Sequence, residues 1–202
     1  MPYARIVRRA ACLLSAGVLS MPMMAGSIST ALGTRASRRC ASEDTPATRG
    51  ARSSLREAVV CLIDRARARF GLDTLHRQAA LDQAAQDHSD EMVAHDRFAH
   101  DGPEGSGPGS RLDRAGYRWS ALGEAIATGY RTPVQTVRAW VHSADHCRIL
   151  LSATYEDIGV GVNPRPVRGA ATGPATWTVD LALRQGRRPP SRNSGPAAGC
   201  PY

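Results

Sequence analysis

Two runs of alternating residues in the last third of the chain constrain its fold most strongly. Apolar side chains occupy every second position of each run: Ile158, Val160 and Val162, then Trp177, Val179, Leu181 and Leu183. A period of two is typical of β-strands, and the Pro- and Gly-rich segment between the runs favours an antiparallel hairpin. We therefore predict a terminal hairpin that packs one of its faces on a hydrophobic core.

Helical patterns precede this hairpin. The first covers residues 55–70; Ser54-x-x-Glu57 predicts a capping box at its start, and Gly71 is its stop. A second helix is predicted over about residues 78–95. Three shorter elements follow: a helix at 111–115, a strand at 122–129 and a helix that starts at Thr132 with Pro133 in its first turn. This order indicates an α+β fold in which helices cover a small antiparallel sheet.

The N-terminal segment predicts export. Three arginines lie within the first nine residues, an uncharged run covers residues 10–34, and small residues precede Gly33. This order is typical of a secretory signal peptide over residues 1–33, with cleavage near Gly33 or, as an alternative, Gly26. The run is also long enough for an uncleaved membrane anchor, although Pro22 weakens that interpretation. We expect a secreted protein, extracellular or cell-wall associated, that contacts a membrane only if the segment stays uncleaved.

Length and charge narrow the class of protein. The 202 residues fit one domain, which we place at 55–184 between a linker at 34–54 and a Pro-, Arg- and Gly-rich tail at 185–202. The formal net charge is +8, and every basic residue is an arginine. Part of this charge leaves with the signal peptide, and no basic helix carries interleaved aromatic residues, so we expect no binding to nucleic acid. We also expect a monomer.

Three residues offer the chemistry of a site: His100, Glu124 and His146. They lie on separate predicted elements, and a Gly- and Pro-rich loop follows the first. If they converge, they form a small polar site that could hold a cation or position a water molecule. Glu124 has apolar neighbours and is costly to bury unpaired, so we expect one of the two histidines as its partner. Alternatively, His100 is a cap or a solvated side chain, and His146 caps the C-terminus of a helix.

Four cysteines remain once Cys12 leaves with the signal peptide: Cys40, Cys61, Cys147 and Cys200. An even number in an oxidising compartment predicts two disulfides, and the sequence alone does not choose between the three possible pairings. Of the three, we expect Cys40–Cys61, because a cysteine just before a helix can reach back onto it through a modest loop. Cys147 would then pair with Cys200 and tie the tail near the candidate site.

A series of short motifs in a fixed order identifies a family. The motifs lie at residues 62–72, 84–92, 98–100, 111–117, 123–129, 140–146, 158–161 and 176–180, and they include Phe98-Ala-His100, Gly123-Glu124 and Trp140-x-x-Ser143-x-x-His146. Together they resemble the bacterial branch of the CAP superfamily, which unites cysteine-rich secretory proteins, insect antigen 5 and plant pathogenesis-related proteins. The resemblance covers residues 55–184, and it implies an α-β-α sandwich with a central cleft.

The resemblance also implies roles for the three candidate residues. His100, His146 and Glu124 match the two histidines and the acidic residue that line the cleft in this family. Two positions depart from the family pattern: Ala125 replaces an asparagine, and Ser143 stands where eukaryotic members carry a second acidic residue. One candidate ligand is therefore missing, and we expect the three residues to bind zinc or another divalent cation weakly.

Three functions remain as hypotheses. The first is a secreted binding module whose cleft takes a small apolar ligand, a divalent cation or another extracellular component. The alternative is a metal-dependent, protease-like hydrolase, in which zinc on the same three residues activates a water molecule. Against it, the chain has no His-Glu-x-x-His helix, no serine in a nucleophile elbow and no evident second carboxylate. The third is a wall-associated structural protein, suggested by the basic tail. We favour the first and expect no enzymatic activity.

Overall fold

The computed structural model describes residues 39–169, 173–189 and Cys200. In chain order its elements are α1 (Arg52–Arg69), β1 (His76–Arg77), α2 (Ala79–Ala94), a short 3₁₀ turn (Pro103–Gly105), α3 (Pro108–Arg114), β2 (Trp119–Thr128), α4 (Pro133–Val141), α5 (Ala144–Leu150), β3 (Asp157–Asn163) and β4 (Thr176–Arg184). Within this part of the chain the strands form one sheet in the order β1-β3-β4-β2. The α+β prediction is confirmed. The sheet is mixed rather than wholly antiparallel, because the two-residue β1 runs parallel to β3.

Local signals explain one end of α1 but not the other. The helix ends as predicted: Gly71 takes a φ of 68°, and the Leu72 amide donates to the Arg67 carbonyl at 3.1 Å. This left-handed conformation favours glycine. The predicted capping box is wrong, because Ser54 lies inside the helix; the N-cap residue is Ala51, without a side-chain cap.

α4 begins where its sequence predicts and reaches the edge of the sheet. The Thr132 hydroxyl accepts a hydrogen bond from the Gln135 amide at 3.4 Å, and Pro133 occupies the first turn. Near the other end of the helix, Trp140 Nε1 donates to the Ile126 carbonyl on the edge strand β2 at 3.0 Å. This contact satisfies one of the edge carbonyls that no neighbouring strand can reach.

Helices cover both faces of the sheet. α1, α4 and α5 pack on one face over the main hydrophobic core, where Val160, Trp177 and Val179 are fully buried. α2 and α3 cover the other face around Leu81 and Leu112. This is the α-β-α sandwich that the resemblance implies.

The prediction that the hairpin buries only one of its faces is therefore wrong. Every residue of β3 is buried, including Gly159 and Gly161 at the small positions of the alternating pattern. A Cβ atom at either glycine would lie 2.1 Å from the α2 backbone, at Leu81 or Ala85. The alternation thus reflects a close contact between helix and sheet rather than a solvated face.

Both predicted disulfides are present: Cys40–Cys61 and Cys147–Cys200. Residues 39–51 are not a free linker, because Ala47 is part of the main core and its amide donates to the Arg131 carbonyl at 2.9 Å. The predicted signal peptide and most of the predicted tail lie outside the described residues. In the part of the chain that the structure describes, no helix has the length and apolar character needed to cross a membrane.

Candidate ligand-binding cleft

Glu124 lies at the centre of the predicted site, on the edge strand β2. Its side chain is only 2% exposed, and both carboxylate oxygens have partners. His100 Nδ1 lies 2.7 Å from Oε1, and Arg111 Nη2 donates to Oε2 at 2.6 Å. Such partners offset the large free-energy cost of burying a carboxylate. The structure thus pairs Glu124 with one of the two predicted histidines and with an arginine that the sequence analysis does not assign to the site.

Arg111 connects this carboxylate to the loop between α2 and α3. Its guanidinium also donates to the carbonyl oxygens of His100 and Ser106, both at 2.9 Å. One rigid, fully charged group therefore orients Glu124 and holds the backbone of the loop that carries His100. The signal in the sequence is indirect: a glutamate among apolar residues requires a cationic partner, but nothing local says which arginine supplies it.

The Glu124–His100 contact shifts the protonation of both groups. Burial acts to raise the pKa of Glu124, but the hydrogen bond from His100 and the nearby His88 and Arg111 side chains outweigh it, so this pKa lies below its ordinary value. The same hydrogen bond has the largest effect on His100 and raises its pKa above the ordinary value. Both shifts favour an imidazolium–carboxylate pair in which the Nδ1–H of His100 points to Glu124.

His146 belongs to the cleft but does not contact Glu124. Its Nδ1 lies 3.0 Å from the Ser143 hydroxyl. Burial lowers the pKa of His146, and the positive charge of His100 lowers it further. The residue is the third of α5, and the C-cap of α4 is His142, so His146 does not cap the C-terminus of either helix. The two imidazoles therefore lie within electrostatic reach of each other in different states: His100 favours the charged form and His146 the neutral form.

A cavity of about 340 Å³ lies beside His146. It is lined by Phe98, Ile126, Ala127, Thr128, Tyr130, Ala139, Trp140, Ser143 and His146. Among the described residues, the exposed large hydrophobic side chains are Phe98 at 42% and Tyr130 at 38%, and both line this cavity. Both exposed aromatic side chains therefore line the same cavity, together with the His146 imidazole and the Ser143 hydroxyl.

The geometry leaves fewer ligands for a metal ion than the three predicted residues. Both Glu124 oxygens are engaged, and the Arg111 charge on one of them disfavours a cation there. Among the described residues, no group of three or more histidine, cysteine, aspartate or glutamate side chains is arranged to hold a metal ion. The carboxylate therefore does not fit as a direct ligand. The imidazole nitrogens of His146, and of His100 once it has lost a proton, remain suitable donors. Metal binding by the cleft stays a prediction.

Two further buried groups lie behind Glu124. His88, on α2, is fully buried, with Nε2 3.8 Å from Glu124 Oε1. Asp180, on β4, is paired with Glu124 in the strand register and is 1% exposed. A second carboxyl group is therefore present, contrary to the sequence-based expectation. The alternating pattern of β4 gave no sign of this carboxyl group, because the pattern predicts that Asp180 lies on a solvated face.

The comparisons with known proteins agree with this architecture. A family model described as the cysteine-rich secretory protein family, CAP, matches residues 60–180, which is more than half of the chain. The chain belongs to this family. This CAP protein is 32% identical over 122 residues to the uncharacterized protein YkwD of Bacillus subtilis, a match that covers 59% of this chain and 48% of YkwD. The chain thus spans about half the length of that relative.

Solved structures of similar fold include proteins outside the cell or on its surface. An extracellular protein containing an SCP domain from Bacillus anthracis matches with a TM-score of 0.58 at 23% identity, over 66% of this chain and 41% of that chain. An outer surface protein from Borrelia burgdorferi matches with a TM-score of 0.56 at 18% identity, over 63% of this chain and 90% of that one. At these identities the likeness shows the CAP fold alone.

Proposed function

We propose that this CAP protein is an extracellular binding module that takes a small, largely apolar ligand in the cavity beside His146. The observation that carries the proposal is the position of Phe98 and Tyr130. Large hydrophobic side chains that stay exposed in a concave place are typical of ligand sites. Export, which the N-terminal sequence predicts, and the extracellular or surface nature of the structural neighbours support the extracellular setting.

The cavity has a size and polarity that suit such a ligand. Its volume of about 340 Å³ falls at the small end of the range of roughly 300–1,000 Å³ for small-molecule pockets. Most of its lining is apolar or aromatic, while Ser143 and His146 supply a few polar atoms. In such a pocket the apolar walls provide affinity and the polar atoms orient the ligand.

Weak binding of a divalent cation such as zinc is the second part of the proposal. His100 and His146 would hold the ion, and Glu124 would accept from Nδ1–H of His100 and so keep its other ring nitrogen free for the metal. Two protein ligands are fewer than the three or four of most zinc sites, which supports weak affinity. A metal-dependent hydrolase is less well supported, because both oxygens of Glu124 already have partners, which makes this carboxylate a poor base.

The fluorescent probe anilinonaphthalene sulfonate tests the apolar cavity. We expect one saturable site on the wild type and at least about tenfold weaker binding for Phe98→Ser and Tyr130→Ser, the equivalent of about 1.4 kcal/mol. Val141→Ser is the matched control, because Val141 lines a different cavity between α1 and α4. Circular dichroism checks that each variant is folded. Absence of binding to the wild type, or an equal loss in Val141→Ser, would contradict the proposal.

A further inference from the structure

Asp180 occupies an enclosed position behind the cleft. It is paired with Glu124 of β2 on one side and with Gly159 of β3 on the other, so these positions form one row across the sheet. Residues directly opposite each other in antiparallel strands share a face, with Cβ atoms roughly 4.5–5.5 Å apart. On the third side the backbone of α2 lies against Gly159, where a Cβ atom would meet the Leu81 carbonyl carbon at 2.1 Å. Asp180 is therefore shielded from solvent and faces a carboxylate.

Several buried polar atoms around Glu124 have no hydrogen-bond partner. Among the described residues these atoms include both oxygens of Asp180, Nε2 of His88 and Nε of Arg111. Glu124 itself already accepts from Arg111 and is paired with His100. Buried polar groups are rarely left unpaired, so a partner for the Asp180 carboxyl must come from within this group or from an internal water molecule.

The two cations of this group, Arg111 and His100, both pair with Glu124, whereas neither oxygen of Asp180 has a hydrogen-bond partner among the described residues. Arg111 from α3 is the permanent cation that faces the pair, and Glu124 from β2 already balances it. His88 from α2 adds no reliable positive charge, because burial lowers its pKa. His100, from the loop, forms its hydrogen bond with Glu124. Burial, and next the charge of Glu124, raise the pKa of Asp180 well above its ordinary value.

We propose that Asp180 is a positioning residue of the cleft: an uncharged carboxylic acid that donates its proton in a hydrogen bond to the Glu124 carboxylate and so fixes that carboxylate as the acceptor of the His100 Nδ1–H. The proton stays covalently bound to Asp180, so no charge moves. Glu124 then accepts from three donors, on His100, Arg111 and Asp180, and cannot rotate. The other nitrogen of His100 is thereby held toward the cleft.

This inference goes beyond the proposed function and does not depend on it, because it concerns the unliganded protein. If Asp180 proves to be ionised, the fluorescent probe can still bind in the cavity. If the probe does not bind, Asp180 can still be protonated. The two ideas are therefore tested separately.

Infrared difference spectroscopy tests the protonation of Asp180. At neutral pH the wild type should show the carbonyl stretch of a protonated carboxylic acid, and Asp180→Asn should lose it. Asp145→Asn is the matched control and should keep the band, since it removes an exposed carboxylate and leaves Asp180 and Glu124 in place. A wild type without the band, or a band that persists in Asp180→Asn, would overturn the proposal. If Asp180→Asn does not fold, Asp180→Leu, which also removes the carboxyl group, takes its place.

Imidazole ¹⁵N spectroscopy tests the positioning role. The neutral form of His100 should be almost entirely the Nδ1–H tautomer in the wild type. Asp180→Asn should preserve it, because the amide can still donate to Glu124, whereas Asp180→Leu removes the donor and should lower the Nδ1–H fraction measurably. If Asp180 only supported the fold, folded Asp180→Asn and folded Asp180→Leu would have the same Nδ1–H fraction at His100. Equal tautomer fractions in the wild type and in folded Asp180→Leu would overturn the positioning role.

Discussion

Arg111 Nη2 lies 2.6 Å from Glu124 Oε2, and the two side chains are 1% and 2% exposed. This buried ion pair joins the short helix α3 to the edge strand β2. The loop that carries His100 lies next to it, because Arg111 also donates to the His100 carbonyl. Removing one partner of such a pair leaves an uncompensated buried charge, which is far more destabilising than the loss of an exposed pair.

Arg111→Met should therefore destabilise the protein by about 3–5 kcal/mol. The double variant Arg111→Met/Glu124→Gln should recover part of this loss, because no buried charge is left unpaired. Arg148→Met is the control: it removes an exposed ion pair with Asp145 and should have little effect. Urea unfolding measures all three, and a small effect of Arg111→Met would show that Glu124 does not depend on this partner.

Glu124→Gln should lower the pKa of His100, because the hydrogen bond to Glu124 is the main cause of its raised value. His100→Ala should raise the pKa of His146, since the positive charge of His100 helps to depress it. Proton NMR titration of the imidazole resonances measures both changes. A His146 titration that is the same with and without His100 would show that the two rings do not share the cleft.

Asp180→Asn should change how stability depends on pH. Because the pKa of Asp180 is raised in the native state, the native protein keeps a proton that the unfolded chain releases above about pH 4. Stability contributed by Asp180 is thus complete at lower pH and is lost as the pH rises through the native pKa. Relative to the wild type, Asp180→Asn should become progressively more stable above about pH 4 in urea unfolding. A difference that does not vary with pH would contradict the prediction.

Replacing Cys40 and Cys61 by serine should lower the stability by about 2–4 kcal/mol and visibly lower the melting temperature. The physical reason is that the bridge restricts the unfolded chain over a sequence separation of 21 residues. It also anchors residues 39–51, so an amide of this segment, such as that of Ala47, should exchange with solvent faster. Hydrogen exchange and calorimetry provide the measurements, and unchanged exchange at Ala47 would show that the segment packs without the bridge.

Zinc titration by calorimetry should show weak binding that His100→Ala and His146→Ala each abolish. Glu124→Gln should weaken it only by about 10–100-fold, because Glu124 supports His100 and does not contact the metal. Binding should also weaken below about pH 6.5, where protons compete for the imidazoles. If the wild type binds no zinc at millimolar concentration, or the histidine variants bind equally well, the predicted metal site does not exist.

Short-range patterns in the sequence predicted much of the fold. The stop at Gly71 and the start at Thr132 are decided by backbone groups within a few residues, so these helix boundaries could be recognised from the sequence alone. The alternation of the terminal hairpin is an equally local pattern. The two disulfides were predicted from the even number of cysteines and from the modest loop between Cys40 and Cys61. The capping box failed because Ser54 satisfies the pattern, whereas the helix begins earlier.

What the sequence by itself determined was the order of the main elements, the even number of cysteines that predicts two disulfides, and the expectation that His100 or His146 is the partner of Glu124. Only the tertiary structure decided that Arg111 completes the ion pair and that Asp180 lies behind it. The physical reason is that a periodic pattern shows which side chains share a face, but not whether another element covers that face. Gly159 lets α2 approach the sheet, and this long-range contact turns Asp180 from an apparently solvated residue into a buried acid.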